Sequence, residues 1–335
     1  MTRLTSVLMI FAVVACNDGD GEVPDAGTEA TPTDAPTDDD SIGVSSCPKQ
    51  AWPIDEEGHQ LDRVWEFYGD NTVMYWMPDE PRAAFIMLHA ANRDIMDVDT
   101  IEYEEFYNEL AQRDIGYFGV TSVSAGGSWS SKTDPGNNPD TQEIANYRDY
   151  LIDITGLSED TPLFVMGFSG GSAFTSNLAQ QGLDMGWDMR GFKAHNGTPY
   201  VETPLASIFV AHINDDPESN ASQCERQADL GYPTECHTYE EITLTPERFT
   251  RIPGISLEEG QVWFDEMVGL GMIDDSGTRL TPVADKDEAF YEFQAESSLP
   301  GPNRATHQLS VIWRLHTVAE DRACEEADFF DKQLL

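Results

Sequence analysis

Ser169 stands in the run Gly167-Phe168-Ser169-Gly170-Gly171, with a glycine two residues before it and another two residues after. A serine hydroxyl is a weak nucleophile at neutral pH and becomes effective when an adjacent base takes its proton. The spacing suits that use. A nucleophile at the apex of a tight turn has strained backbone angles, and its neighbours at those two places must lack side chains that would collide. Gly170 leaves room for an acyl group beside the hydroxyl. The chemistry would be acyl transfer, with a histidine as base and a carboxylate to orient it. The competing reading is a glycine-rich turn whose serine only caps the next helix.

The surrounding elements favour the first reading. Pro162 to Ala179 reads PLFVMGFSGGSAFTSNLA: an apolar run, the turn, then apolar residues at helical spacing. That is strand, sharp turn, helix, with Ser169 at the apex. Elsewhere the chain alternates in the same way. Val64–Tyr68 and Thr72–Met77 are expected as a hairpin, Ala83–Leu88 as a buried strand running into His89-Ala90-Ala91, and Glu102–Arg113 as a helix. Ile115–Val123 follows as a strand, Ser124–Asn138 as a Gly- and Ser-rich loop, and Gln142–Ile154 as a helix. Gly191–Ala194 and Ser207–Ala211 are expected as strands, as is Leu309–Leu315 (LSVIWRL), with a helix from Ala319 to Leu334. The pattern predicts an α/β fold, a mostly parallel sheet flanked by helices, with its chemistry at the carboxyl ends of the strands.

The N-terminal stretch carries different information. Arg3 precedes an apolar run from Leu4 to Ala15 that is too short to span a bilayer and long enough for a signal peptide. The run ends in Val13-Val14-Ala15-Cys16, which resembles the lipobox of bacterial lipoproteins; that resemblance implies a signal peptide over residues 1–15 and lipidation of Cys16. Residues 16–46 lack Lys, Arg and aromatic side chains and are expected as a solvated acidic tether. Asn17 to Glu22 only faintly resembles a calcium loop and lacks its closing Glu. Residues 47–335 then form one domain. The chain has 61 Asp and Glu against 19 Lys and Arg, a net charge of −42, which argues against nucleic acid as a partner. Membrane contact is expected through the N-terminal lipid only. Besides Cys16 there are Cys47, Cys224, Cys236 and Cys324, which in an exported protein allow two disulfides in three pairings. Cys224 with Cys236 closes a short loop and leaves Cys47 for Cys324. No CxxC or histidine cluster points to a metal, and no cofactor is called for.

On these motifs the domain resembles the α/β-hydrolases, and among them the secreted esterases related to polyhydroxybutyrate depolymerases and dienelactone hydrolases. The resemblance spans Val64 to Leu334 with one insertion, residues 218–305, between the triad acid and base. It implies a serine hydrolase with the chain order Ser, Asp, His. His212-Ile213-Asn214-Asp215-Asp216-Pro217 is similar to the family segment H-G-x-x-D-P, which matches Asp216 to the acid, with Asp215 as its rival. His316 matches the base, with His307 as the rival. His89 matches a structural histidine, and His59, His195, His212 and His237 are expected as satisfied polar groups. The oxyanion hole would use the amides of Gly170 and Ala91, where alanines replace the family's usual glycine. Trp129 would either wall the acyl pocket or pack its loop. The insertion, with helices expected over Leu257–Met272 and Ala289–Phe293, would form a lid or a subdomain on the sheet edge. The function expected is an exported, membrane-tethered hydrolase of small-molecule or polymer esters; the alternatives are a non-catalytic binding protein or a serine peptidase on the same scaffold.

Overall fold

A computed structural model of the chain describes residues 61–319 and 322–335. The expected signal peptide, the tether, Cys16, Cys47 and His59 lie outside the described residues.

The elements follow in order. β1 (Val64–Tyr68) and β2 (Asn71–Trp76) form the hairpin, β3 is Ala83–Leu88, α1 is Glu104–Ala111 and β4 is Ile115–Val120. Next come α2 (Pro139–Ile154), β5 (Leu163–Phe168), α3 (Gly170–Asp184), β6 (Met189–His195) and β7 (Ala206–His212). After these run α4 (Pro217–Asp229), β8 (Thr234–Tyr239), α5 (Leu257–Gly269), α6 (Lys286–Glu296), α7 (Pro302–Ile312) and α8 (Ala323–Asp331). The eight strands make one sheet in the order β1-β2-β4-β3-β5-β6-β7-β8. β2 is antiparallel to β1 and β4, and the pairs from β4 through β8 are parallel.

The reason is visible in the strand sequences. Every residue of β3, β4, β5 and β7 is buried, as expected of strands covered on both faces by helices. Alternate side chains go to opposite faces. Phe85, Met87, Phe164 and Met166 join Phe106 of α1 and Phe330 of α8 in one core. Ala84, Ile86 and Val165 join Ile144 of α2, Phe174 and Leu178 of α3 and Cys224 of α4 in the other.

Two expectations change here. LSVIWRL is not a strand: Leu309 to Ile312 form the last turns of α7, which Pro302 opens. A short apolar run has no period of its own to tell strand from buried helix. Leu309, Ile312 and Trp313 lie at helical spacing and pack into a third core with Trp263, Phe264 and Phe293. The last strand is instead β8, TECHTY, which pairs with β7 from Ser207↔Thr234 to His212↔Tyr239. Its alternating polar residues reflect an edge position. β8 therefore belongs to the sheet and α4 is the helix that crosses to it from β7, so the insertion expected over residues 218–305 starts only after β8. The Cys224–Cys236 disulfide joins these two elements, with Cα atoms 5.8 Å apart.

The inserted unit, with its own core, carries α5, α6 and α7. α5 opens with a capping box, Ser256 against Glu259. The unit is fastened to the first turn of α1 and the residues just before it by ion pairs: Arg248 to Glu102 at 3.1 Å, and Arg251 to Glu105. Burial alone would raise the Glu102 carboxyl, but Arg248 and Arg251 outweigh it and hold it below the usual carboxylate range. No helix among the described residues is long and apolar enough to cross a membrane.

Candidate active site

β5 ends at Phe168 and α3 starts at Gly170, so the whole reversal falls on Ser169, at φ 54° and ψ −117°. That strained conformation persists because the neighbouring backbones leave no alternative. A Cβ on Gly167 would lie 2.3 Å from the Gly171 carbonyl carbon, and one on Gly171 would lie 2.4 Å from Leu88 O. Gly197, which the sequence reading passed over, fits against the same turn: a Cβ there would lie 2.4 Å from Ser169 O.

Ser169 Oγ is 2.8 Å from His316 Nε2, and His316 Nδ1 is 2.6 Å from Asp215 Oδ2. The Phe168 ring lies against the imidazole, 5.0 Å between centroids. The carboxylate on His316 is thus that of Asp215, which corrects the expectation of Asp216. Asp216 has a left-handed backbone, φ 49°, and turns away to cap α4, accepting from Ser219 N–H at 3.4 Å. Two adjacent residues on a tight turn cannot both face the imidazole; the Asp215 amide donates to His212 O, and that turn aims the first carboxylate at His316. His316 sits in the loop after α7 rather than at a strand end. His307 lies on the exposed face of α7, apart from the other two groups.

Ala91 occupies the expected place beside the elbow. A Cβ on Gly170 would lie 2.8 Å from Ala91 N. Of the amides around it, Ala90 N–H donates to Asp97 Oδ2 at 3.2 Å and Asn92 N–H donates to Gly127 O at 3.0 Å. The Ala91 amide lies between these two engaged groups and against Gly170, whose own amide starts α3.

This turn is built from behind by buried polar groups. His89 Nδ1–H donates to Ala90 O at 2.7 Å, and His89 Nε2 accepts from Ser122 N–H at 2.9 Å. Burial pushes the His89 pKa down and keeps the ring neutral, as that pairing requires. Trp129 Nε1–H donates to His89 O at 2.8 Å, and its ring stacks on Phe174 at 5.3 Å. Trp129 is 5% exposed. It packs the loop behind the Ala90-Ala91 turn, the second of its two expected roles. Asp140, in the first turn of α2 and outside the helix expected from the sequence, fixes the same loop by accepting from Val123 N–H, Ser122 Oγ–H and Ser130 N–H. A cleft of about 580 Å³ at the following loop is lined by Asn92, Arg93, Asp94, Met96, Asp97 and Gly126-Gly127.

Of the proposed cysteine pairs, Cys224–Cys236 is bonded, and the Cys47 half of the other lies outside the described residues.

No protein-family model and no curated protein sequence matches the chain. Among solved structures it is similar to an arylesterase at 11% identity, over 53% of this chain and 74% of that one, with a TM-score of 0.40. An esterase from Pyrobaculum calidifontis is 10% identical over 62% of this chain and 82% of that one, TM-score 0.43. An esterase from Mycobacterium marinum is 13% identical over 53% and 71%, TM-score 0.41. The α/β-hydrolase fold is read from the chain itself: the strand order with β2 antiparallel, and the strained turn at Ser169 between β5 and α3.

Proposed function

We propose that the chain is a serine hydrolase of carboxylic esters working through an acyl-enzyme. The observation that carries this reading is the unbroken pair of hydrogen bonds from Ser169 to His316 to Asp215, 2.8 Å and 2.6 Å long. Asp215 accepts from Nδ1–H and so leaves the Nε2 lone pair facing the hydroxyl. As Ser169 Oγ attacks the ester carbonyl, its proton passes to His316 Nε2, and the Asp215 carboxylate offsets the imidazolium charge. The carbonyl oxygen becomes an oxyanion met by the Gly170 and Ala91 amides, each such donor being worth about 100- to 1000-fold in rate. Collapse expels the alcohol, which takes the proton from Nε2. A water then repeats the cycle, giving the carboxylic acid and restoring Ser169.

The substrate in this reading is a small acyl ester or a soluble polymer fragment, after the resemblance of the sequence to depolymerase- and dienelactone-type esterases. Export and tethering are part of the proposal and rest on Val13-Val14-Ala15-Cys16 and the acidic segment behind it. The test is hydrolysis of p-nitrophenyl esters of increasing acyl length by the wild type and Ser169→Ala. Activity absent from the variant and greatest on short chains is expected; equal activity in the variant would overturn the reading.

A further inference from the structure

Three polar side chains at the ends of β6 and β7 act on one stretch of backbone. Asn214 Nδ2–H donates to Trp313 O at 2.7 Å, His212 Nδ1–H to Leu315 O at 2.9 Å, and Asn196 Nδ2–H to Thr317 O at 3.1 Å. These are every second carbonyl from 313 to 317, and His316 lies between the second and third. The donors stand at or just past the carboxyl ends of two parallel strands; the acceptors lie where the chain leaves the inserted unit. Arg314, between the first two rungs, has a left-handed backbone at φ 51° and donates from Nε to Glu240 O at 2.7 Å.

The middle rung differs from the outer two. His212 is fully buried, and its Nδ1 must carry the proton because a carbonyl only accepts. Burial pushes its pKa down to about 4, so the ring is neutral and Nε2 presents a lone pair. His195 Nε2 lies 3.2 Å from that lone pair and donates to it. Burial holds His195 neutral as well. The pair thus has one consistent arrangement of protons, ending in a donor aimed at the residue before the base.

We propose that His212 is the positioning residue for His316, flanked by Asn214 and Asn196. By holding the Leu315 carbonyl it sets the imidazole where Ser169 and Asp215 are met together, and His195 fixes the tautomer that lets it donate. This rests on the catalytic reading of Ser169, His316 and Asp215.

The test uses the full chain with His212→Leu, which removes the donor, and His212→Asn, whose amide can donate from the place of Nδ1. A misplacement near 1 Å in a catalytic group costs about 100-fold. His212→Leu should therefore lose about 100-fold in kcat on p-nitrophenyl acetate with KM little changed, and His212→Asn should recover most of it. The downfield proton resonance of the His316–Asp215 hydrogen bond should vanish in the first variant and return in the second. Wild-type kcat in His212→Leu, or no recovery in His212→Asn, would overturn the proposal. Should His212→Leu fail to fold, Asn214→Leu decides: a loss of about tenfold in kcat with KM unchanged, the worth of one such hydrogen bond, supports it, and unchanged kcat overturns it. A wild type that hydrolyses no ester would sink the esterase reading, while the proton resonance would still report on the clamp.

Discussion

The turn at Ser169 and the turn at His316 bring together the hydroxyl and the imidazole of the proposed mechanism, and they are held by different means. Around Ser169 the constraint is what the neighbours lack: Gly167, Gly170, Gly171 and Gly197 each place bare backbone where a methyl would collide. Around His316 the constraint is what the neighbours carry, with amide and imidazole donors taking Trp313 O, Leu315 O and Thr317 O in turn. A turn shaped by sterics tolerates no added atom. One shaped by hydrogen bonds should fail in graded steps and answer to pH.

The largest effect belongs to the choice between neighbouring acids. Asp215→Asn should lower kcat about 10⁴-fold, because an amide no longer selects the tautomer with its proton on Nδ1. Asp216→Asn should leave kcat within about twofold, since asparagine caps a helix as well as aspartate does. Equal losses in the two variants would show that the carboxylates share the task. Next comes the steric turn: Gly171→Ala forces a methyl to within 2.4 Å of Leu88 O and 2.6 Å of His89 O, and should cost about 3 kcal/mol or more in denaturant unfolding. A fully stable variant would mean that the turn is looser than described.

The pH response sharpens the other half. His212, with its pKa pushed down to about 4 by burial, and His195, lowered for the same first reason, are neutral in the fold and take up protons near pH 6.5 when unfolded. Their contribution is complete above pH 6.5 and falls as pH drops towards 4, by about 3 kcal/mol for His212 alone. His237 works in the opposite sense. Burial lowers its pKa, but the carboxylates of Glu235 and Glu326 outweigh burial and raise it, so its contribution is lost as pH rises. The slope specific to the base loop is therefore read as a difference: unfolding free energy should fall less steeply between pH 7 and 4.5 in His212→Asn than in wild type, and parallel curves would refute the assignment. Smallest is the disulfide. Reducing Cys224–Cys236, twelve residues apart, should cost about 2 to 3 kcal/mol with kcat unchanged, because it joins α4 to β8 away from Ser169.

The same contrast explains what the sequence disclosed. The elbow is local, five residues at a telling spacing, and the buried strands beside it are continuous apolar runs, so the fold and the tight turn at Ser169 were legible. His316 is matched to the base as the residue that ends an expected strand, and that strand is absent, since most of LSVIWRL belongs to a helix whose apolar face meets the inserted core. The rungs of the clamp join residues 99, 103 and 121 positions apart. No local pattern marks such pairs. Asp215 and Asp216 differ only in which way a turn directs them, and β8 was hidden by the polar alternation of an edge strand. Asn196, Asn214 and Asp140 have no composition signal at all: their meaning lies in the carbonyls and amides that the fold brings to them.

The central claim is that Ser169 forms the acyl-enzyme. Mass spectrometry of the protein after treatment with a fluorophosphonate tests it most directly. One adduct per chain on the peptide bearing Ser169, with ester hydrolysis lost in proportion, is the result predicted; hydrolysis that continues while Ser169 is fully modified, or an adduct on another residue, would contradict it.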